Sequence, residues 1–140
     1  MTDLHFAALV LELSCSDFQT SLAFCTDKLG FKIIYGRSEN GFACIALGHA
    51  QIMLEQSNGF WSTGELHKPY GRGINFQILV ENVERLYEYV INQGVPVFAH
   101  LETSWYRIDQ IEHGQREFLV QDPDGYLLRF SEHLDERPVV

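Results

Sequence analysis

Positive charge is scarce in this chain. Lysine and arginine together number 10, against 19 aspartates and glutamates, which leaves a net charge of −9. Non-specific nucleic-acid binding needs a basic face, so that class of function is excluded. Cysteine is scarce as well. Cys15, Cys25 and Cys44 are odd in number and lack the paired spacing of a zinc site or a disulfide framework. They read as buried free thiols of a cytoplasmic chain. Long apolar runs are missing, and none nears the roughly 20 residues that a membrane span requires. No basic leader precedes the first strand-like stretch, so a signal peptide is not expected. Catalytic motifs are missing too. The six histidines form neither HxxxH nor HxH, no serine sits in a GxSxG elbow, and no cysteine has a motif histidine.

Hydrophobic residues make up 46% of the 140 residues, enough for one domain with a true core. The clearest local signal is Gly114–Ser131, GQREFLVQDPDGYLLRFS. Two alternating runs flank Asp122-Pro123-Asp124-Gly125, a sequence whose proline, aspartates and glycine all favour a tight turn. This predicts a hairpin.

The N-terminal part predicts a strand over 6–13, then a helix capped by Asp17. Its buried face would carry Phe18, Leu22, Cys25 and Leu29, and Gly30 would end it. Strands at 31–37, 42–47 and 50–56 follow, with a turn at Ser38–Gly41. Residues 57–73 are rich in glycine and read as a linker. The pattern then restarts. A strand over 74–80 leads to a helix capped by Asn82, with Val83, Leu86 and Val90 inward, and Gly94 stops it. Further strands are predicted at 95–101, 106–112, 116–121 and 126–131; 106–112 and 116–121 are either separate or one bent strand. Residues 132–140 read as a polar tail.

The order is strand, helix, three strands, twice, with the capping residues Asp17 and Asn82 65 positions apart. The expected fold is α+β: two βαβββ modules, approximately 6–56 and 74–132, joined by the 57–73 linker in a single domain. Two such modules would form a curved mixed sheet with an open trough, and troughs of this kind are the usual place for a small-molecule ligand. Exposed apolar surface on a half-open trough favours a homodimer.

Three segments, SDFQTSLAFCTDKLGF (16–31), GINFQILVENVERLYEYVINQGV (73–95) and REFLVQDPDGYLLRF (116–130), resemble the vicinal-oxygen-chelate superfamily, which includes glyoxalases, extradiol dioxygenases and bleomycin-resistance proteins. The resemblance implies the same paired βαβββ fold. It also implies where a divalent metal would be held in the enzymes. Those positions are Val10, Glu55, Asn75 and Arg129 here, and only Glu55 is a normal ligand. No metal or other cofactor is therefore expected, and no catalytic residue.

What the resemblance implies instead is the bleomycin-resistance branch, whose members bind and sequester. Such ligands carry planar rings, a cationic tail and a polar metal-binding head. Stacking partners are expected in Phe42, which matches a family groove aromatic, and in Phe60, Trp61, Trp105 and Tyr106. The family's second stacking tryptophan falls where this chain has His113-Gly114-Gln115, so His113 or a tryptophan of a neighbouring loop is the candidate substitute. Glu55 and Arg129 are expected to line the site, and whether they pair with each other as a salt bridge or never meet stays open. The partner is thus a bleomycin-like small molecule, with neither nucleic acid nor membrane involved. Two alternatives stay open: a metal-dependent lyase, isomerase or dioxygenase of the same superfamily, and a binder of a metabolite.

Overall fold

The computed structural model describes residues 4–140. The chain forms two compact units. One comprises the chain up to Arg72 together with Asp122–Tyr126, the other Gly73–Gln121 with Leu127–Val140. Each contains one four-stranded sheet and one principal helix, in the order βαβββ.

In the first unit the strands are β1 (Leu11–Cys15), β2 (Lys32–Arg37), β3 (Phe42–Leu47) and β4 (Ala50–Gln56), arranged β1-β4-β3-β2. β1 and β4 run parallel, and the other neighbours are antiparallel. The helix α1 (Phe18–Ala23) starts as its sequence demands, with the Asp17 carboxylate accepting from Thr20 N at 3.3 Å. It then widens into a π-helical turn over Phe24–Lys28. The wider turn keeps Cys25 and Leu29 on the face begun by Phe18, and all three are buried. Leu22, expected on that face, is only half-buried; Ser21 takes the buried position beside Phe18.

β1 starts later than the 6–13 expectation. The backbone around residues 5–7 is occupied elsewhere: Ala7 N donates to Gln51 Oε1 at 3.0 Å and Gln51 Nε2 donates to His5 O. A glutamine side chain has taken the hydrogen bonds that a strand neighbour would supply.

The second unit holds β5 (Asn75–Leu79), α2 (Val83–Asn92), β6 (Ala99–Ile108), β7 (Ile111–Gln121) and β8 (Leu127–Pro138), with sheet order β5-β8-β7-β6. β5 pairs parallel with β8. Asn82 caps α2 through Arg85 N at 3.0 Å, and Val83 and Val90 are fully buried. Tyr87 packs edge-on against Phe118, and Phe118 stacks on Phe130.

Two expectations fail here. The predicted strands at 95–101 and 106–112 are replaced by one long hairpin, β6–β7, which turns at Asp109-Gln110; Asp109 takes φ +55° without a glycine to announce it. Residues 132–138 are not a tail but the outer half of β8, paired with His113, Glu112 and Ile111 of β7. Their polarity reflects exposure, and backbone pairing overrides it.

Candidate functional site

The open face of each sheet, opposite its helix, is where side chains are available for binding. Alternation along the strands decides which residues reach it. In the second unit Phe118, Val120, Leu128 and Phe130 point toward the helix side and are buried. Their neighbours in sequence, Glu117, Leu119 and Arg129, therefore face the other way. Ser131 is paired with Glu117, and Leu119 with Arg129, so these four share that face.

A polar knot occupies its centre. The Glu117 carboxylate accepts from Arg129 Nε at 2.7 Å and Arg129 Nη2 at 3.2 Å. It also accepts from Gln115 Nε2 at 2.9 Å, Ser131 Oγ at 3.1 Å and the Tyr106 hydroxyl at 3.2 Å. Burial opposes its charge, but the hydrogen bonds from Arg129, Gln115 and Ser131 prevail and hold the carboxyl below its ordinary range. Arg129 is shifted up by the same bond. Between the two open options for Glu55 and Arg129, the side chains do not pair: Glu117 holds the Arg129 guanidinium. Glu55 is half-buried and accepts from Asn58 Nδ2 at 3.0 Å.

Tyr106, His113 and Arg129 thus share one face. Trp105 does not, because adjacent strand residues point oppositely. Its indole lies over Gly114, where an added Cβ would come within 2.9 Å of the ring, and the Arg137 guanidinium stacks 3.9 Å above it. Arg137 in turn reaches Glu112 at 3.3 Å. The glycine in His113-Gly114-Gln115 makes room for this indole.

In the first unit Phe42, Cys44, Met53 and Glu55 face away from the buried Ile45, Ile52 and Leu54. The Phe42 ring is only 4% exposed. Arg37 lies 4.2 Å above it, and Tyr35 packs beside it at 6.0 Å. A ligand reaching this ring must displace Arg37. The loop after β4 is built differently. Asn58 Oδ1 accepts from Phe60 N at 2.9 Å, so one side chain ties the loop to Glu55 and sets its turn. The loop presents Phe60 and Trp61, the latter 88% exposed. Trp61 also takes φ +61°, a left-handed conformation unusual for a bulky side chain.

Sequence reasoning missed Glu117, Tyr35 and Arg37. Glu117 had a signal: counting outward from the Asp122–Gly125 turn places it on the same face as Arg129.

The metal positions implied by the resemblance can be tested against this chemistry. Val10 offers no donor. Arg129 is a permanent cation fixed by Glu117. Asn75 is a neutral amide, and Glu55 alone is a good ligand. This donor set does not fit a divalent ion. Nor do the cysteines supply a nucleophile. All three are buried and unbridged, and burial pushes Cys15 up to about 11 and raises Cys25 and Cys44 as well.

Comparison with known proteins places the chain among relatives. The sequence model described as "Glyoxalase/Bleomycin resistance protein/Dioxygenase superfamily" matches residues 4–130. Proteins named "Bleomycin resistance protein" from Geobacillus stearothermophilus and Staphylococcus aureus are each 28% identical over 135 residues, covering 87% of this chain and 93% of theirs. Among solved structures, TioX from Micromonospora sp. ML1 aligns with a TM-score of 0.73 at 18% identity, covering 92% of this chain and 100% of that one. A glyoxalase/bleomycin resistance protein/dioxygenase from Alicyclobacillus acidocaldarius aligns at 0.65 and 21% identity, covering 91% of both. At these identities the structural likeness concerns the fold.

Proposed function

The chain belongs to the glyoxalase/bleomycin resistance protein/dioxygenase superfamily, and from that premise we propose that it is a non-catalytic binding protein that sequesters a planar, cationic compound of the bleomycin type. The observation that carries this reading is the Glu117–Arg129 knot. Where a metal enzyme of the superfamily needs a carboxylate free to bind an ion, this chain has an arginine locked to an internal acid. The position is spent on holding the sheet together, and what remains for a ligand is shape, aromatic surface and charge.

In the first unit Trp61 and Phe60 offer flat partners for planar rings; in the second, taken by itself, Tyr106 and His113 offer theirs. The −9 net charge raises the local concentration of a cationic ligand. Phe42 contributes once Arg37 swings aside; the guanidinium acts as a placeholder on the ring face. Glu55 meets the cationic part of the ligand. Trp105, facing the other side of its sheet, supports the fold instead. The exposed Phe6, Leu9 and Leu79 favour burial against a second copy, making the working form a homodimer. Free buried thiols suit a reducing cytoplasm. No helix among the described residues is long and apolar enough to cross a membrane.

The test is a fluorescence titration with metal-free bleomycin on the wild-type chain and on Trp61→Phe and Trp105→Phe. Saturable quenching that survives Trp105→Phe and vanishes in Trp61→Phe is expected. Truncating Trp61 to Ala should cost about 1–3 kcal/mol of binding. A folded wild-type protein that gives no saturable response would overturn the drug assignment.

A further inference from the structure

We propose that His113, His133 and Glu136 form a binding site for a borderline divalent transition-metal ion such as Zn²⁺, at the outer end of the β7–β8 pair. None of these residues occupies a metal position that the superfamily resemblance implies, and the inference does not depend on the ligand proposed above.

The three residues converge because of a defect in the strand pairing. His113 pairs with Glu136, while Gln115 pairs with His133, so the register slips by one residue between them. β8 carries the extra residue. In a regular strand His133 and Glu136, three apart, would point to opposite faces. The bulge cancels that difference and turns Glu136 onto the face of His113 and His133. One donor atom from each side chain then lies within 4.8 Å of the other two. His113 Nδ1 stands 3.5 Å from Glu136 Oε1. The two imidazoles are 5.6 Å apart and tilted by 45°, which leaves space between their edges.

Around a zinc ion with bonds of about 2.0–2.1 Å, neighbouring ligand atoms stand roughly 3.3 Å apart. The cluster reaches that spacing by side-chain rotation alone, since all three groups have solvent on at least one side. Two imidazoles and one carboxylate are a donor set that selects zinc, nickel, cobalt or copper over magnesium or calcium. The carboxylate offsets one of the ion's two charges. The neighbouring cation Arg137 points to the opposite face, engaged by Glu112 and Trp105, so it does not oppose the ion. Exposure leaves open coordination positions for water or a donor from a bound molecule. Bound metal would also pin the two strands across the bulge, where the ladder is interrupted.

The experiment is calorimetric titration of the full chain, free of any affinity tag, with zinc chloride and separately with magnesium chloride. One zinc per chain is expected, with no saturable magnesium binding. NMR should show two of the six imidazoles shifting. His113→Ala and His133→Ala should each weaken zinc by about ten-fold or more, and Glu136→Gln by a similar factor. His100→Ala, whose imidazole is bonded to Tyr87, should leave it unchanged. Circular dichroism checks that each variant is folded; His133 and Glu136 are exposed, so their variants keep the test open if His113→Ala unfolds. Absence of stoichiometric zinc binding to the wild-type chain, or wild-type affinity in the folded His133→Ala or Glu136→Gln protein, would overturn the proposal.

Discussion

Replacing Glu117 with glutamine tests whether the polar knot holds the second sheet together. Glutamine keeps the size of the side chain and one acceptor oxygen. It replaces the other oxygen with an amide that cannot accept from Arg129, Ser131 or Gln115, and it leaves Arg129 without a counter-charge. The magnitude lies between two limits. A solvated surface pair contributes under about 1 kcal/mol, and breaking a fully buried pair costs about 3–5 kcal/mol. The Glu117 side chain is 13% exposed and that of Arg129 24%, so the pair is shielded but not dry. A loss of about 2–3 kcal/mol follows, equivalent to roughly 1 M in urea midpoint at an ordinary denaturant slope. The double variant Glu117→Met, Arg129→Met removes both charges together and should recover most of that loss. Urea unfolding followed by circular dichroism reads both. A single variant within about 0.5 kcal/mol of wild type, or a double variant as unstable as the single, refutes the reasoning. The pH response carries the same sign. Glu117 is held below its ordinary value in the fold, so its contribution is present above the unfolded value of about 4.3. It disappears as pH falls through the lower folded value.

Asp122 should behave in the opposite way. Burial pushes its carboxyl up to about 6, despite hydrogen bonds from Tyr126 N and Asp124 N, and its Oδ2 is buried with no partner. The fold prefers the protonated acid, so this stabilisation is full below pH 4 and lost as pH rises through 6, a difference of about 3 kcal/mol. Carboxyl NMR should find one aspartate titrating near 6, and Asp122→Asn, which keeps the accepting oxygen, should flatten stability between pH 4 and 6; a carboxyl titrating near 4 would contradict this. Gly125→Ala should be strongly destabilising, by roughly 2–4 kcal/mol, because φ is +98° and the new methyl would stand 2.6 Å from Pro69 Cα. A thermal melt unchanged from wild type would disprove that account.

Most of the fold was legible in the sequence because its signals are local. Asp17 and Asn82 cap helices, Gly30 and Gly94 end them with φ of +86° and +76°, and the Asp122–Gly125 turn sits between two strands. What was not legible depended on distant partners. No composition rule shows that Gln51 will tie down residues 5–7, or that a polar stretch after Ser131 will pair with β7. The candidate site divides in the same way. Residue types were readable, facing was not. Trp105 and Tyr106 look equivalent in sequence, yet only Tyr106 reaches Glu117. Phe42 was picked out as a ring, but Arg37 on top of it was not, since their opposition is set by β2–β3 register. The bulge that gathers His113, His133 and Glu136 leaves no mark in a single strand's pattern.

The Asp122–Tyr126 turn belongs to the first unit although it is translated last but one in the chain's order of elements. Asp124, nearly inaccessible, accepts from Ser16 N at 3.0 Å and from the Ser16 hydroxyl, and Lys68 Nζ sits 3.4 Å away. The Tyr126 hydroxyl donates to Ser14 O at 3.0 Å, and Tyr70 N donates to Asp124 O at 2.8 Å. The bonds to Ser14 and Ser16 span more than a hundred residues of sequence. During synthesis, residues 1–72 therefore leave the ribosome with the carbonyl of Ser14 and the amide of Ser16 unanswered, and must wait for nearly the whole remaining chain before their own unit is complete. Two units that look like independent duplicates are thus bound to one folding timetable. A gene cut between them would release a first half that lacks its final part.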